Sequence, residues 1–315
     1  MTDVSNMPAV DLTVPEAKGE GTEIENTKKD SETISVGGFD ISGHCPEKLT
    51  QARDNVKYGH YEHFTYYSET CGMERAYSVF FPADYEASSG RKYPVLYLQH
   101  GIFGNERTFM DDPANALKEM FGNMAADGIA DEWLIILPDM FCRTNPEVKP
   151  EMTAESILNY DNFINELINE LMPLVESTYP VLTGRENTAI AGFSLGGRET
   201  LFVSLKETER FAYVCAMAPA PGLVPGKDWA MEHPGQMSEA EVKFDENAVK
   251  PDVLMICCGT KDSVVGKFPM SYHEIMERNG VEHIWFEVPD ADHDNGTIRS
   301  GLYNLLRCVH GIKQK

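Results

Sequence analysis

Residues 189–202 read AIAGFSLGGRETLF, and within them Gly192, Ser194 and Gly196 match the pattern G-x-S-x-G. A short apolar run precedes the serine and a helical pattern follows it, which predicts a sharp strand-to-helix turn. Glycine suits both flanking positions, because backbone and side chains approach too closely at such a turn for a Cβ atom. The turn would expose Ser194 above a sheet, beside the free N–H groups of a helix N-terminus. A serine that only caps a helix would not require glycine on both sides.

Eight short apolar or β-branched segments recur along the chain. They are HFTYYS (63–68), AYSVFF (76–81), PVLYLQ (94–99), WLIILPD (133–139), NTAIAGF (187–193), AYVCAMA (212–218), DVLMICCG (252–259) and HIWFEV (283–288). The last six are nearly continuous in apolar character, which is typical of buried parallel strands. The first two alternate more and lie close together, which predicts an antiparallel hairpin at an edge.

Helical patterns separate the later segments, at 111–127, 157–178, 195–207, 269–279 and 297–310. Strands that alternate with helices predict a doubly wound α/β sheet. Eight strands with an antiparallel first pair are the layout of the α/β-hydrolase fold, a mostly parallel sheet with helices on both faces. We expect one catalytic domain over 36–315, after a disordered acidic tail or linker over 1–35 that lacks an apolar period.

The net charge of the chain limits the classes of molecule that it is expected to bind. Its 27 basic and 50 acidic side chains give a net charge of −23, which argues against binding to nucleic acid or to an anionic membrane. No apolar run approaches the length of about 18 residues that a membrane span requires. The first 18 residues show no secretory signal, which indicates a cytoplasmic protein, or a secreted one whose signal has been removed. A neutral sugar ester fits this charge as a small-molecule or polysaccharide-linked substrate.

The seven cysteines are scattered and form no CxxC pair. Neither a zinc site nor a disulfide framework is therefore expected. Cys215, Cys257 and Cys258 lie in apolar runs and are interpreted as small core residues. A single pair, such as Cys45 with Cys71, would form only if the protein is exported.

A nucleophilic serine needs a base and an acid that orients the base. In the α/β-hydrolase order the acid follows the seventh strand and the histidine follows the eighth. Asp262 and His293 occupy these two positions, and together with Ser194 they form the predicted triad. Asp290 and Asp292 are alternative acids, although the loop after the seventh strand favours Asp262.

His100 lies in LQHGIFGN, directly after the third predicted strand. A His-Gly pair there is typical of the loop that supplies one N–H group to an oxyanion hole. We assign the two donors to the backbone N–H groups of Ile102 and Leu195. His100 is interpreted as a hydrogen-bonded anchor of this loop and not as the general base.

Asp290, Asp292 and Asp294 alternate around His293 like the start of an EF-hand loop. Such a loop requires glycine at its sixth position and glutamate at its twelfth, but Asn295 and Gly301 stand there. Calcium binding is therefore not expected. The predicted chemistry needs no metal and no organic cofactor.

Four stretches together resemble the esterase-D-like α/β hydrolases: YPVLYLQHGIFGNE, NTAIAGFSLGGRETL, CCGTKDSVV and VEHIWFEVPDADHDNGTIRSGLYNLL. The resemblance covers about residues 60–311 and is closest to the carbohydrate esterases that include feruloyl and acetyl xylan esterases. It implies Ser194 as nucleophile, Asp262 as acid and His293 as base, with Ile102 and Leu195 forming the oxyanion hole. The family often carries a Gly-Gly-His-x-Trp pattern, which is Asp-Ala-Asp-His-Asp here. This departure leaves His293 as the base, but it indicates that the acyl pocket beside it differs from that of the family.

The resemblance implies a serine esterase that acts on plant cell-wall carbohydrate esters through an acyl-enzyme, with feruloyl esters favoured. The alternatives are an acetyl xylan esterase, an esterase like S-formylglutathione hydrolase, and an inactive hydrolase-fold binding module. The long connection 219–251 is expected to shape the substrate site, with Trp229 in an aromatic acyl pocket. Phe103, Phe109 and Phe141 are placed near its mouth by topology. For all four aromatic residues, packing inside the protein is the competing interpretation.

Overall fold

The computed structural model describes residues 33–314, and a single eight-stranded sheet dominates it. The strands are β1 (His60–Ser68), β2 (Met73–Phe81), β3 (Val95–Gln99), β4 (Leu134–Pro138), β5 (Thr188–Phe193), β6 (Tyr213–Met217), β7 (Val253–Gly259) and β8 (Ile284–Val288). Their order across the sheet is β8-β7-β6-β5-β3-β4-β2-β1. β2 runs antiparallel to its neighbours β1 and β4, and every other pair is parallel. The predicted sheet is confirmed.

Helices fill the connections between these strands. They are α1 (Thr108–Asp111), α2 (Leu117–Ala126), α3 (Ala154–Asp161), α4 (Phe163–Glu166), α5 (Met172–Thr178), α6 (Leu195–Lys206), α7 (Phe268–Arg278) and α8 (Asn295–Lys313). Short 3₁₀ helices span Glu47–Leu49, Ala87–Ser89, Pro113–Asn115, Arg185–Asn187 and Glu239–Glu241. Within residues 33–314, no helix combines the length and apolar character needed to cross a bilayer.

The helix predicted over 157–178 is interrupted by a π-helical turn at Leu167–Leu171, between α4 and α5. Pro173 follows this turn at the start of α5. Proline has no N–H to donate to the carbonyl four residues back, and its ring crowds that carbonyl. The wider π turn accommodates this conflict without ending the helical segment.

The two faces of the sheet bury two separate hydrophobic clusters. Alternation along β3 shows the division, because Val95 and Tyr97 belong to one cluster and Leu96 and Leu98 to the other. Helices α3 to α7 supply the partners on the first face, and α2 and α8 supply those on the second. Helices on both faces leave the carboxyl edge of the parallel strands free for the connections that carry polar groups.

Before β1, a small hairpin pairs Thr33–Val36 with Phe39–Ser42. It is held against α8, where the side-chain amide of Asn304 exchanges two hydrogen bonds with the backbone of Ser42, at 3.0 and 2.8 Å. The first strand of the hairpin thus begins inside the segment predicted as a tail over 1–35. The rest of that predicted tail, residues 1–32, lies outside the described residues.

The long connection between β6 and β7 contains structure that the sequence did not predict. Gly226–Lys227 and Glu232–His233 pair as two short antiparallel strands. Further on, Ser238 and Glu241 form a capping box around a 3₁₀ turn. The segment is therefore a folded excursion above the carboxyl edge of the sheet.

Two glycines of α8 provide a test of how tightly this helix packs on the sheet. A Cβ on Gly301 would lie 2.5 Å from Met217 Cγ, whereas a Cβ on Gly311 would have no atom within 4 Å. We expect Gly311→Ala to raise the melting temperature by about 2 °C, because alanine lowers the backbone entropy of the unfolded chain. Gly301→Ala should lower it through overpacking, which costs about 1–3 kcal/mol. Thermal unfolding of both variants decides this, and an equal rise in both would contradict the packing described.

Candidate active site

Ser194 lies on the turn between β5 and α6, with φ of 59° and ψ of −119°. This left-handed backbone is unusual for a residue with a side chain and marks a strained turn. The two flanking glycines make the turn feasible. A Cβ on Gly192 would overlap the carbonyl of Gly196, and a Cβ on Gly196 would overlap the carbonyl of Gln99. The sequence predicted both the turn and the need for glycine at these positions.

Asp262 and His293 are brought together from two different loops. His293 Nδ1 lies 2.8 Å from Asp262 Oδ2. The other carboxylate oxygen accepts the N–H groups of Val264 and Val265, at 3.0 and 2.9 Å. Burial acts to raise the pKa of Asp262, but the hydrogen bond with His293 and the two N–H groups outweigh it and hold that pKa below its ordinary value. Asp262 is therefore a fixed anion that orients the imidazole.

The imidazole of His293 also packs against the turn that carries the serine. Its ring centroid lies 4.3 Å from that of Phe193, the residue directly before Ser194. Ser194 itself is 7% exposed, at the carboxyl edge of the sheet. His293 is thus hydrogen-bonded to Asp262 and packs against the residue that precedes Ser194.

The other carboxylates near His293 have different partners. Asp290 pairs with Lys261 Nζ at 2.8 Å, and Asp294 caps α8. Asp292 accepts the backbone N–H groups of Ser263 and His293, both at 2.8 Å, and so joins the two loops of the site. Neither alternative acid faces the imidazole as Asp262 does. This bridging contact of Asp292 was not predicted. Its position in the sequence alone does not show whether the carboxylate orients the histidine or holds two loops together.

The loop after β3 lies against the serine. A Cβ on Gly101 would be 3.2 Å from Ser194 Cβ and 3.7 Å from its Oγ, so only glycine brings the backbone this close without crowding. Ile102 follows in this loop, and Leu195 is the first residue of α6. In the described part of the chain, neither backbone N–H of these two residues has a hydrogen-bond acceptor. Leu195 directly follows Ser194, and Ile102 directly follows Gly101, whose backbone lies against the serine.

His100 is buried beneath this loop. Met140 N–H donates to His100 Nε2 at 3.0 Å, so the ring proton is on Nδ1, which lies 2.7 Å from the carbonyl of Gly101. Burial lowers the pKa of His100, which keeps the ring neutral. With both nitrogens engaged, His100 links the loop after β3 to the connection after β4.

The four predicted substrate-binding aromatic residues separate into two groups. Phe103, in the loop after β3, is 58% exposed, and its N–H donates to Tyr160 Oη at 3.2 Å. Trp229, between the two short strands of the long connection, is 78% exposed. Phe109 and Phe141 are only 4% and 1% exposed. The prediction was wrong for these two, since they turn inward and fill the two hydrophobic clusters.

A buried charged network lies one turn beyond the serine on α6. Arg198 is ion-paired with Asp161 of α3 and with its neighbour Glu199, to which its Nε donates at 3.1 Å. Gln236, from the long connection, donates to Glu199 Oε2 at 2.9 Å and to Asp161 at 3.3 Å. A Cβ on Gly222 would lie 2.9 Å from Arg198 Nη1. The network therefore ties the long connection to the helix that carries Ser194.

One guanidinium faces two carboxylates in this network, so the group carries excess negative charge. Burial raises the pKa of Glu199 to about 7, Arg198 opposes the rise, and the charge of Asp161 adds to it. Burial also raises the pKa of Asp161. This network was missed from the sequence, although Arg198 and Glu199 lie in a helix whose other residues are mostly small or apolar, which is a signal for buried charge.

Glu199 predicts a pH dependence of stability. Its carboxyl ionises near 4.5 in the unfolded chain and near 7 in the folded one, so the folded protein binds more protons between these values. Its contribution to stability is therefore lost as the pH rises through this range. We therefore expect the melting temperature of wild type to fall relative to that of Glu199→Gln as the pH is raised from about 5 to about 8, because only wild type loses the buried proton.

Thermal unfolding across the pH range measures this difference. Glu209→Gln, at an exposed position soon after α6, is the matched control and should follow wild type at every pH. A difference between wild type and Glu199→Gln that stays constant with pH would contradict the raised pKa.

Within residues 33–314, buried side chains of the types that bind metals come together at one place. One group has ligand atoms within 4.8 Å of one another: Cys71, Cys142 and Glu166, all buried. Cys45, considered above as a possible partner of Cys71, is not in this group. Cys45 packs with the cluster on the α8 face and Cys71 with the cluster on the other face, so the pairing of Cys45 with Cys71 is wrong.

Known proteins resemble this chain over most of its length. Residues 68–284 match the family described as putative esterase. A CE1 ferulic acid esterase from Anaeromyces mucronatus, solved in complex with ferulic acid, is 42% identical, with a TM-score of 0.81 over 86% of this chain and 98% of that one. S-formylglutathione hydrolase from Staphylococcus aureus has a TM-score of 0.59 at 19% identity, over 82% of this chain and all of that chain, and shares the fold.

Among curated proteins, an endo-1,4-beta-xylanase/feruloyl esterase from Xylanibacter ruminicola is 28% identical over 219 residues. The match covers 68% of this chain but only 26% of that protein. The chain thus spans about a quarter of this curated relative. Family match, sheet order and the structural relative at 42% identity agree, and the chain belongs to the putative esterase family of α/β hydrolases, in the group that contains the CE1 ferulic acid esterases.

Proposed function

We propose that this protein is a feruloyl esterase that cleaves hydroxycinnamoyl esters of plant cell-wall carbohydrate through an acyl-enzyme on Ser194. The observation that supports the proposal is the 2.8 Å bond between His293 and Asp262, with the His293 ring packed against Phe193, the residue before Ser194. In a pre-organised site of this kind the positions of the groups, rather than their identity alone, lower the barrier.

The reaction follows from these positions. Ser194 Oγ attacks the ester carbonyl while His293 Nε2 accepts its proton, and Asp262 stabilises the imidazolium through Nδ1. The N–H groups of Ile102 and Leu195 donate to the oxygen of the tetrahedral intermediate. The sugar alcohol leaves with the proton from His293, and water then releases the acid by the reverse sequence of steps. These steps involve only protein side chains, backbone and water.

Exposed apolar side chains support an aromatic acyl group. Phe103 stands next to Ile102 in the loop after β3, where the carbonyl end of a substrate would be held. Other exposed apolar residues also lie in connections that leave the carboxyl edge of the sheet: Met152, Leu158, Trp229 and Val264. Two of these exposed side chains, Phe103 and Trp229, are flat aromatic rings, which suit a ligand such as ferulate better than acetate. The structural relative solved with ferulic acid supports the same substrate class.

The experiment compares methyl ferulate, p-nitrophenyl acetate and S-formylglutathione as substrates. We expect preferred turnover of methyl ferulate, and Ser194→Ala should lower its kcat on the order of 10⁴-fold or more. Asp262→Asn should lower kcat by about 10³- to 10⁴-fold, because the imidazole loses its orienting anion. Asp292→Asn is the matched control, since its amide oxygen can still accept both N–H groups, and its loss should stay below about tenfold.

Phe103→Ala tests the aromatic contact in the same assay. Loss of one ring contact should raise KM for methyl ferulate about fivefold and leave KM for p-nitrophenyl acetate unchanged. Activity confined to acetyl esters or to S-formylglutathione would overturn the feruloyl assignment and leave the serine mechanism. Unchanged turnover in Ser194→Ala would overturn the mechanism itself.

A further inference from the structure

A buried thiol pair lies apart from the catalytic residues, on the β1–β2 side of the sheet. Cys71 is in the turn between β1 and β2, and Cys142 follows β4. They are 71 positions apart in the chain, but β2 and β4 are antiparallel neighbours with Tyr77 opposite Pro138. This register places the turn before β2 beside the residues after β4. The two sulfur atoms and a carboxylate oxygen of Glu166 lie within 4.8 Å of one another.

Glu166 is the centre of this group. It accepts the thiol of Cys142 at 2.6 Å, the hydroxyl of Tyr66 at 2.7 Å and the Nε of Arg75 at 3.0 Å. The carboxylate is therefore already neutralised by a buried guanidinium. A divalent cation at this position would be repelled by Arg75, and among residues 33–314 it would find only three ligands instead of the four that zinc prefers. The arrangement favours chemistry between the two thiols over metal binding.

The two thiols are not equivalent. The hydrogen bond from Cys142 lowers the pKa of Cys71, whereas burial raises that of Cys142. Cys71 itself is 1% exposed, but it lies on a surface turn with the exposed residues Glu69 and Gly72. The proposal requires local opening of this turn to bring the thiol to solvent. Cys71 thus has the features of an attacking thiol, and Cys142 those of a resolving thiol with a carboxylate beside it.

We propose that Cys71 and Cys142 form a reversible disulfide that fastens the connection after β4 to the β1–β2 turn. With glutathione disulfide as oxidant, the Cys71 thiolate attacks one sulfur and releases one glutathione thiolate. Cys142 then attacks Cys71 Sγ in the mixed disulfide and displaces the second glutathione thiolate, which takes up the Cys142 proton. The sum is two protein thiols and one glutathione disulfide giving one protein disulfide and two glutathione thiols.

The bond would act on the support of the candidate active site. Cys142 is two residues after Met140, whose N–H holds His100 beneath the loop that carries Ile102. A disulfide there ties this support to the sheet edge. It also closes a large loop in the unfolded chain and so lowers the entropy of the unfolded state. We expect oxidation to raise the melting temperature by about 5 to 10 °C, with no change in the fold.

The test exposes the folded chain to glutathione disulfide and maps its peptides under non-reducing conditions. A peptide that links Cys71 to Cys142 is expected, together with the rise in melting temperature and its reversal by a dithiol reductant. Both effects should vanish in Cys71→Ala and in Cys142→Ala and persist in Cys45→Ala. Because oxidised and reduced forms of one variant are compared, a loss of stability from the substitution itself does not affect the result.

A second close pair, Cys215 and Cys257, provides an internal control. Both lie within central strands whose backbone is hydrogen-bonded on both sides, whereas Cys71 lies on a turn, so this pair should remain reduced. Three results would overturn the proposal: no linked Cys71–Cys142 peptide, an unchanged melting temperature on oxidation, or retention of one zinc ion per chain with both thiols protected.

Discussion

The structure depends on the close backbone packing where β5 turns into α6, which leaves no space for a Cβ atom on either side of Ser194. Ser194 adopts a left-handed backbone there, and the carbonyls of Gly196 and Gln99 occupy the positions where Cβ atoms at Gly192 and Gly196 would lie. This contact fixes how near α6 lies to β3, and so how near Leu195 N–H lies to the loop that carries Ile102. A small change in the distance between α6 and β3 would move the N–H groups of Ile102 and Leu195 away from an oxyanion. The packing around Ser194 holds its strained backbone in place and so preserves this distance.

Polar contacts then extend this geometry outward in three directions. Asp292 joins the loops that carry Asp262 and His293, and His100 joins the loop after β3 to the connection after β4. On the third side, Arg198 and its carboxylates join α6 to the long connection through Gln236. All three links are side-chain contacts between segments distant in sequence. They place loops, which would otherwise be mobile, on the rigid sheet.

The sequence predicted the sheet and the candidate triad because both follow local rules. Apolar runs such as 187–193 mark buried strands, and strand order alone places Asp262 and His293. The misses involve side-chain direction and long-range contacts. Phe109 and Phe141 lie in the expected connections, but their side chains are buried. Arg198 is of a residue type usually found on the surface, but it is buried in α6. The pairing of Cys71 with Cys142 depends on β2–β4 register. The strand Thr33–Val36 has only four residues, mostly exposed, so its sequence gives little signal of a buried strand.

The most direct test of the central claim is to trap the acyl group on the protein. The enzyme is mixed with p-nitrophenyl ferulate, whose good leaving group makes acylation faster than deacylation, and the reaction is quenched with acid within the first turnover. Peptide mass mapping should find one feruloyl group, esterified to Ser194, and no adduct in His293→Ala treated in the same way. A feruloyl group on another residue, or continuing turnover with no adduct on Ser194, would contradict the account.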